Sequence, residues 1–218
     1  MKNKNHRMIL MAIGNLAGFV LWTILASLLD VQCIGPQKSA VGFATVNGWF
    51  HDLTGVHMEL YVLTDWLSLI PLGIVVGFAI LGLSQWIRRK SLGKVDRDLL
   101  LLGGFYGLVL LMYVLFEGLE INYRPVLIEG ILEASYPSST TMLVLCVMLT
   151  AVMQANMRIR NPKWKNWLAW TLWIFTAVMV VGRLISGVHW LTDIIGGILL
   201  SNGLVLLYRT MCAKFCRI

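Results

Sequence analysis

The sequence predicts an all-α fold, a polytopic bundle of six transmembrane helices, and three observations carry that prediction. The first is composition: 58% of the 218 residues are hydrophobic, and a mean hydropathy of +0.75 lies outside the range of soluble domains. The second is the presence of six apolar stretches that approach or exceed the roughly 20 residues needed to cross a bilayer. The third is the placement of charge. When six spans are threaded through a membrane, all of the 18 Lys and Arg residues except Lys38, Arg124 and Arg183 fall on one side. The positive-inside rule then places both termini in the cytoplasm. The net charge of +7 describes anchoring to anionic membrane lipid, with no nucleic acid as partner.

The spans are read at residues 8–29, 66–87, 99–121, 139–156, 167–184 and 190–208, and residues 1–218 form a single integral membrane domain. Lys2, Lys4 and Arg7 precede the first apolar run, which is too long for a signal peptide and lacks a small-x-small cleavage site, so it reads as an uncleaved anchor. The long outer segment that follows carries turn signals at Gly35-Pro36, Asn47-Gly48 and Gly55. Within it residues 41–53 are mildly amphipathic and end in Trp49, Phe50 and His51, which suits a short interfacial helix that either guides a lipid headgroup or caps the bundle. His51, Asp52, His57, Glu59 and Asp65 lie at or beyond the outer boundary, where each alone reads as a surface group.

The second span ends in Arg88, Arg89 and Lys90, a cytoplasmic anchor. The third carries Glu117 and Glu120 near its outer end, followed by Arg124-Pro125. On a continuing helix Glu117 and Arg124 share a face, so a carboxylate points the same way as Arg124; Pro125 marks the helix exit. The fourth span opens on Pro137, Ser138, Ser139, Thr140 and Thr141. Taken alone this is a helix cap. Gathered on one side with Arg124 and Arg183, its free backbone amides and positive dipole end read as a phosphate cradle.

The fifth and sixth spans meet at the most informative stretch, VVGRLISGVHWLTDIIGG, residues 180–197. Arg183, His189 and Asp193 stand at the mouth of two apolar helices, where ionisable groups are costly and mark function. Four residues apart on a helix, His189 and Asp193 share a face, so the carboxylate holds one imidazole nitrogen and leaves the other free to react. Ser186 and Gly187 favour a tight turn that returns the Arg183 guanidinium toward the imidazole. A planar fork of donors suits an anion such as phosphate. No metal or other cofactor is expected: the four cysteines, Cys33, Cys146, Cys212 and Cys216, offer neither a disulfide pair on the outer side nor a zinc cluster. No internal repeat supports a transporter of duplicated halves.

These motifs, from about Glu117 to Asp193, resemble the type 2 phosphatidic acid phosphatase (PAP2) superfamily of membrane lipid phosphatases, whose helical core is shared with glucose-6-phosphatase and vanadium haloperoxidases. The family pattern is Lys, six residues, Arg-Pro; then Pro-Ser-Gly-His; then Ser-Arg, five residues, His, three residues, Asp. Here Arg124-Pro125 stands in place but Glu117 occupies the lysine position. Pro137 and Ser138 stand in place, with Ser139 and Thr140 at the glycine and histidine positions. Gly182 replaces the serine, and Arg183, His189 and Asp193 follow at the family spacing.

The resemblance implies a PAP2-like core in which His189 attacks phosphorus to give a phosphohistidine and Asp193 orients it. Arg124, Arg183 and Ser138, with Ser139 and Thr140 in the same helix start, hold the phosphoryl oxygens. The absent histidine leaves the leaving-group proton donor to another residue. In one account Glu117 is that acid; in the other, Glu117 pairs with Arg124 or Arg183 and the protein binds a lipid phosphate without turning it over. The expected function is hydrolysis of a lipid phosphate or diphosphate, of the phosphatidate, phosphatidylglycerol phosphate or polyprenyl diphosphate type, at the outer face of the plasma membrane. The alternative is a non-hydrolytic lipid-phosphate binding or transport protein.

Overall fold

The computed structural model describes the backbone of residues 2–216 and the side chains of residues 5–216. Of the basic residues that set the charge pattern, the side chains of Lys2, Lys4 and Arg217 lie outside that description. Eight α-helices are present among the described residues: α1 (Lys2–Leu28), α2 (Ala44–Thr54), α3 (Met58–Leu67), α4 (Leu69–Arg89), α5 (Arg97–Leu119), α6 (Ser139–Arg158), α7 (Pro162–Ile185) and α8 (Leu191–Phe215). Among the described residues six stretches are long and apolar enough to cross a membrane, with α3 and α4 forming one of them from Met58 to Arg89.

α6 and α8 are the buried centre, and α1, α4, α5 and α7 surround them with apolar faces turned outward. One core cluster joins Phe19 of α1, Leu102 and Phe105 of α5, Met142 of α6 and Leu200, Leu204 and Tyr208 of α8. A second joins Val144 and Met148 of α6 to Leu172 and Met179 of α7. The exposed Leu, Ile, Val and Trp side chains of the outer helices, including Val76, Ile80, Leu110, Leu111, Trp170 and Ile174, are what a lipid solvent requires, because backbone polar groups are satisfied within each helix.

Two ends of the bundle differ in kind. At the end where α1 begins and α8 finishes, Arg89 reaches Asp96 at 2.8 Å and Arg158 pairs with Asp98. Asp96, whose carboxyl is held below its usual range chiefly by the hydrogen bond from Arg89 and then by that from Gln85, ties the end of α4 to the start of α5. At the opposite end α2 lies across the start of α8. Asn47 donates to Thr192 Oγ1 at 2.9 Å and accepts from the Thr192 amide at 3.2 Å. Of the two readings of residues 41–53, capping of the bundle is therefore the one with a contact behind it. α1 is an integral wall of the bundle: Trp22 donates to the Thr192 carbonyl at 3.1 Å, and Thr23 hydrogen-bonds the Tyr136 hydroxyl at 2.8 Å.

Candidate active site

The end of the bundle capped by α2 gathers the polar motifs. α7 stops at Ile185, and Gly187 makes the turn into α8 with φ of +70°, a conformation that favours glycine. A Cβ there would stand 2.1 Å from the Gly55 carbonyl oxygen, so the turn is pressed against the α2–α3 connection, where the His57 amide donates to Ser186 O at 3.0 Å. His189 is consequently outside any helix, and the expected i,i+4 helical face is corrected. Its relation to Asp193 arises from the cap of α8 instead. Asp193 accepts the Trp190 amide on Oδ2 at 2.9 Å and Asn122 Nδ2 on Oδ1 at 3.4 Å, with its Oδ2 3.5 Å from His189 Nδ1. Asp193 is 0% and His189 3% exposed, and a carboxyl group so deeply buried needs donors of this kind.

Arg124 reaches the same place by a different route. Glu120 adopts a left-handed conformation and ends α5 at Leu119. The loop beyond folds back as a small hairpin, with Glu129 and Gly130 both at positive φ in its two-residue turn and Ile128 paired to Ile131. Across that hairpin the Arg124 amide donates to Glu133 O at 3.0 Å, and Arg124 Nε lies 2.9 Å from Glu133 Oε2. Nη1 of Arg124 stands 3.5 Å from His189 Nε2. The expectation that Arg124 shares a helical face with Glu117 is therefore overturned, since the helix ends five residues before Arg124. The expectation that Glu117 pairs with Arg124 or Arg183 is also overturned: Glu133 is opposite Arg124, and Asp65 of α3 takes Arg183.

Arg183, 2% exposed, is held almost entirely by α3. Nη1 donates to the Tyr61 carbonyl at 3.3 Å and Thr64 Oγ1 at 3.1 Å, and Nη2 donates to Asp65 Oδ1 at 3.3 Å. Nη2 also donates to Thr140 Oγ1 of α6 at 2.8 Å. The Tyr61 ring lies under both guanidiniums, 4.7 Å from Arg183 Cζ and 5.8 Å from Arg124 Cζ. Gly182 makes this approach feasible, because a Cβ at that position would come within 2.9 Å of Thr64 Cγ2. Tyr61, Thr64, Asp65 and Glu133 are the site neighbours that sequence reasoning missed. The signal available was the polar side of α3, which exposed-surface logic explained equally well.

Ser138 is the N-cap of α6, its hydroxyl accepting the Thr141 amide at 3.4 Å while its own amide donates to Asp193 O at 3.1 Å. Ser139 and Glu117 line a small cavity of about 10 Å³ together with Ser135, Pro137 and His189. Arg124, Arg183, His189, Asp193, Ser138 and Thr140 are thus brought together, and Glu117 from α5 and Ser139 from α6 line the same small cavity as the imidazole.

The electrostatics favour an anion. Burial first, then the positive charges of Arg124 and Arg183, hold the His189 imidazole well below its ordinary pKa, so it is neutral. Arg183 Nε and His189 Nδ1 are buried without a hydrogen-bond partner among the described residues. No cluster of three metal-ligating side chains occurs among them.

Residues 101–215 match the PAP2 superfamily, and the chain, more than half of which is covered, belongs to it. The fold is similar to the crystal structure of the first transmembrane PAP2 type phosphatidylglycerolphosphate phosphatase from Bacillus subtilis, with a TM-score of 0.61 and 20% identity over 94% of this chain and 96% of that one. No curated protein matches the chain. Superfamily membership and the six apolar helices make it a multi-pass membrane protein of the PAP2 phosphatase type.

Proposed function

We propose that the protein hydrolyses a lipid phosphate or diphosphate at the outer face of the plasma membrane through a phosphohistidine at His189, the whole chain acting as one membrane domain. The observation that carries this reading is the convergence of a neutral imidazole, two buried guanidiniums and the start of α6 at one end of the bundle, with Asp193 behind the imidazole. His189 Nε2 faces Arg124, so it is the nitrogen directed at a phosphoryl group held by the arginines. Nδ1, on the Asp193 side, carries the proton, and the carboxylate stabilises the cation that forms as Nε2 bonds to phosphorus.

The ester or anhydride P–O bond breaks as the P–N bond forms, and the leaving oxygen takes a proton from Glu117, which borders the same small cavity. Glu117, now a carboxylate, takes a proton from a water that attacks phosphorus; the P–N bond breaks, inorganic phosphate leaves, and both the neutral imidazole and the protonated acid are restored. Arg124, Arg183 and the α6 amides stabilise charge on the equatorial oxygens, the dominant contribution in phosphoryl transfer. The distribution of Lys and Arg supports termini in the cytoplasm and a site on the outer side.

Detergent-purified protein given phosphatidate, phosphatidylglycerol phosphate and a polyprenyl diphosphate should release inorganic phosphate from at least one, and His189→Ala should abolish release. The second reading, a non-hydrolytic lipid-phosphate binder, draws on Thr140 at the family's histidine position and on the carboxylates already opposite both arginines. Binding of those lipids without release would favour it.

A further inference from the structure

We infer that Tyr61, on a helix outside the region that matches the superfamily and outside all three of its motifs, is a positioning residue that holds Arg124 and Arg183 together as one phosphate clamp. The inference rests on the proposed phosphate site. Two guanidiniums that face one ligand repel each other, and in a partly desolvated site that repulsion is poorly screened. Each has a carboxylate of its own, Glu133 for Arg124 and Asp65 for Arg183, but those contacts draw the two cations toward different elements, the hairpin loop and α3. The Tyr61 ring contacts both, with Cζ to centroid distances of 5.8 Å and 4.7 Å, within the range of a cation–π attraction.

The backbone of the same residue fixes the geometry from below, since the Tyr61 carbonyl accepts Arg183 Nη1 at 3.3 Å. α3 cannot drift from α7, because Gly182 packs on Thr64 and the turn at Gly187 on Gly55. The ring is therefore a fixed π-surface shared by two arginines that come from the hairpin loop and from α7. The substitution of Glu117 at the family's lysine position gives the residue its importance: with one cation fewer, the placement of the remaining two decides how well a phosphoryl group is gripped. The quadrupole of the ring performs this task and the hydroxyl does not, so phenylalanine should replace tyrosine and an aliphatic side chain should not.

The test uses the full chain in detergent and orthovanadate as the phosphate-like probe, with affinity read from the shift in melting temperature across a vanadate titration. Wild type, Tyr61→Phe, Tyr61→Leu, Tyr61→Met and Arg124→Gln are compared. Tyr61→Phe should bind within about twofold of wild type, and Tyr61→Leu and Tyr61→Met should each bind about tenfold more weakly. Melting temperatures without vanadate should be alike, because the ring is only half-buried. If phosphatidate is turned over, the same variants should raise KM and leave kcat nearly unchanged. Vanadate binding to Tyr61→Leu or Tyr61→Met as tight as to wild type overturns the inference, as does a Tyr61→Phe variant as weak as either. A wild-type protein that binds no vanadate, and is indistinguishable from Arg124→Gln, defeats the phosphate site itself and the Tyr61 role with it.

Discussion

Arg183 donates to Thr140 at 2.8 Å, from α7 to the first turn of α6. The position where the superfamily pattern places a histidine is filled by a hydroxyl that accepts from a guanidinium; the residue aims a cation, and an aliphatic hydroxyl is too weak an acid to protonate a leaving group in place of an imidazolium. Thr140→Val keeps the shape and removes the acceptor from a buried charged group, a loss that costs about 1–3 kcal/mol. Kinetics of phosphate release should show KM raised roughly tenfold, with kcat changed less.

The proposed acid is Glu117. Glu117→Gln keeps the hydrogen-bonding shape and removes the proton, and kcat on phosphatidate should drop by about 10²–10⁴. A diphosphate leaves more readily and should lose less. Full activity of Glu117→Gln on phosphatidate would reassign the acid, with His51, whose ring lies 5.5 Å from Trp190, tested next and His57 after it.

The depressed pKa of His189 sets a direction for pH dependence. Burial, Arg124 and Arg183 all oppose protonation, so the imidazole remains a competent nucleophile below the ordinary pKa of about 6.5. The acid limb of kcat/KM should therefore lie below pH 6.5. Arg124→Gln removes one opposing charge and should move the limb upward. For stability the unfolded chain takes up the proton first. The contribution of neutral His189 is full above about pH 6.5 and is lost as pH falls from there toward the folded value. Thermal unfolding followed from pH 7.5 to pH 5 checks the sign.

Much of this arrangement was legible in the sequence, for identifiable reasons. Apolar length is the dominant constraint in a bilayer, so the spans expected at residues 99–121, 139–156, 167–184 and 190–208 overlap α5 to α8, with ends that differ by up to seven residues. Arg183, His189 and Asp193 stood out because charge at a helix mouth has no lipid-facing use. α3 did not stand out. Glu59, Thr64 and Asp65 interrupt its apolar pattern, so apolar length alone starts the second span at residue 66, whereas helix begins at Met58. Whether such polar residues face water or a cleft is decided by packing against α7, which spacing alone does not encode. Spacing points Arg124 at Glu117, seven residues away, but the helix does not continue; the partner of Arg124, Glu133, is nine residues away in the chain, and the positive φ values at Glu129 and Gly130 turn it back.

Gly187 is the backbone element on which the motif depends most. Gly187→Ala would place a Cβ 2.1 Å from the Gly55 carbonyl at a φ of +70°, and the combined strain should cost more than about 1 kcal/mol. A lower melting temperature together with reduced phosphate release is expected. Alanine at Gly77, which has nothing within 4 Å of the added Cβ, serves as the control and should change neither.

The proposed topology makes a chemical prediction. Cys33 is exposed at the site end and Cys216 is half-buried at the opposite end, while Cys146 and Cys212 are buried. A membrane-impermeant maleimide added to intact cells should label the wild type and not Cys33→Ala. Labelling of Cys33→Ala in intact cells would place Cys216 outside and the site on the cytoplasmic side.

The central claim is that His189 carries the phosphoryl group during turnover, and trapping it is the most direct test. Protein incubated briefly with a lipid substrate labelled in its phosphate, then quenched in alkali, should retain label that is stable to base and released by mild acid. Mapping should place it on the peptide containing His189, and His189→Ala should retain none. Phosphate release by the wild type with no such adduct, or an adduct that persists in His189→Ala, would contradict the account.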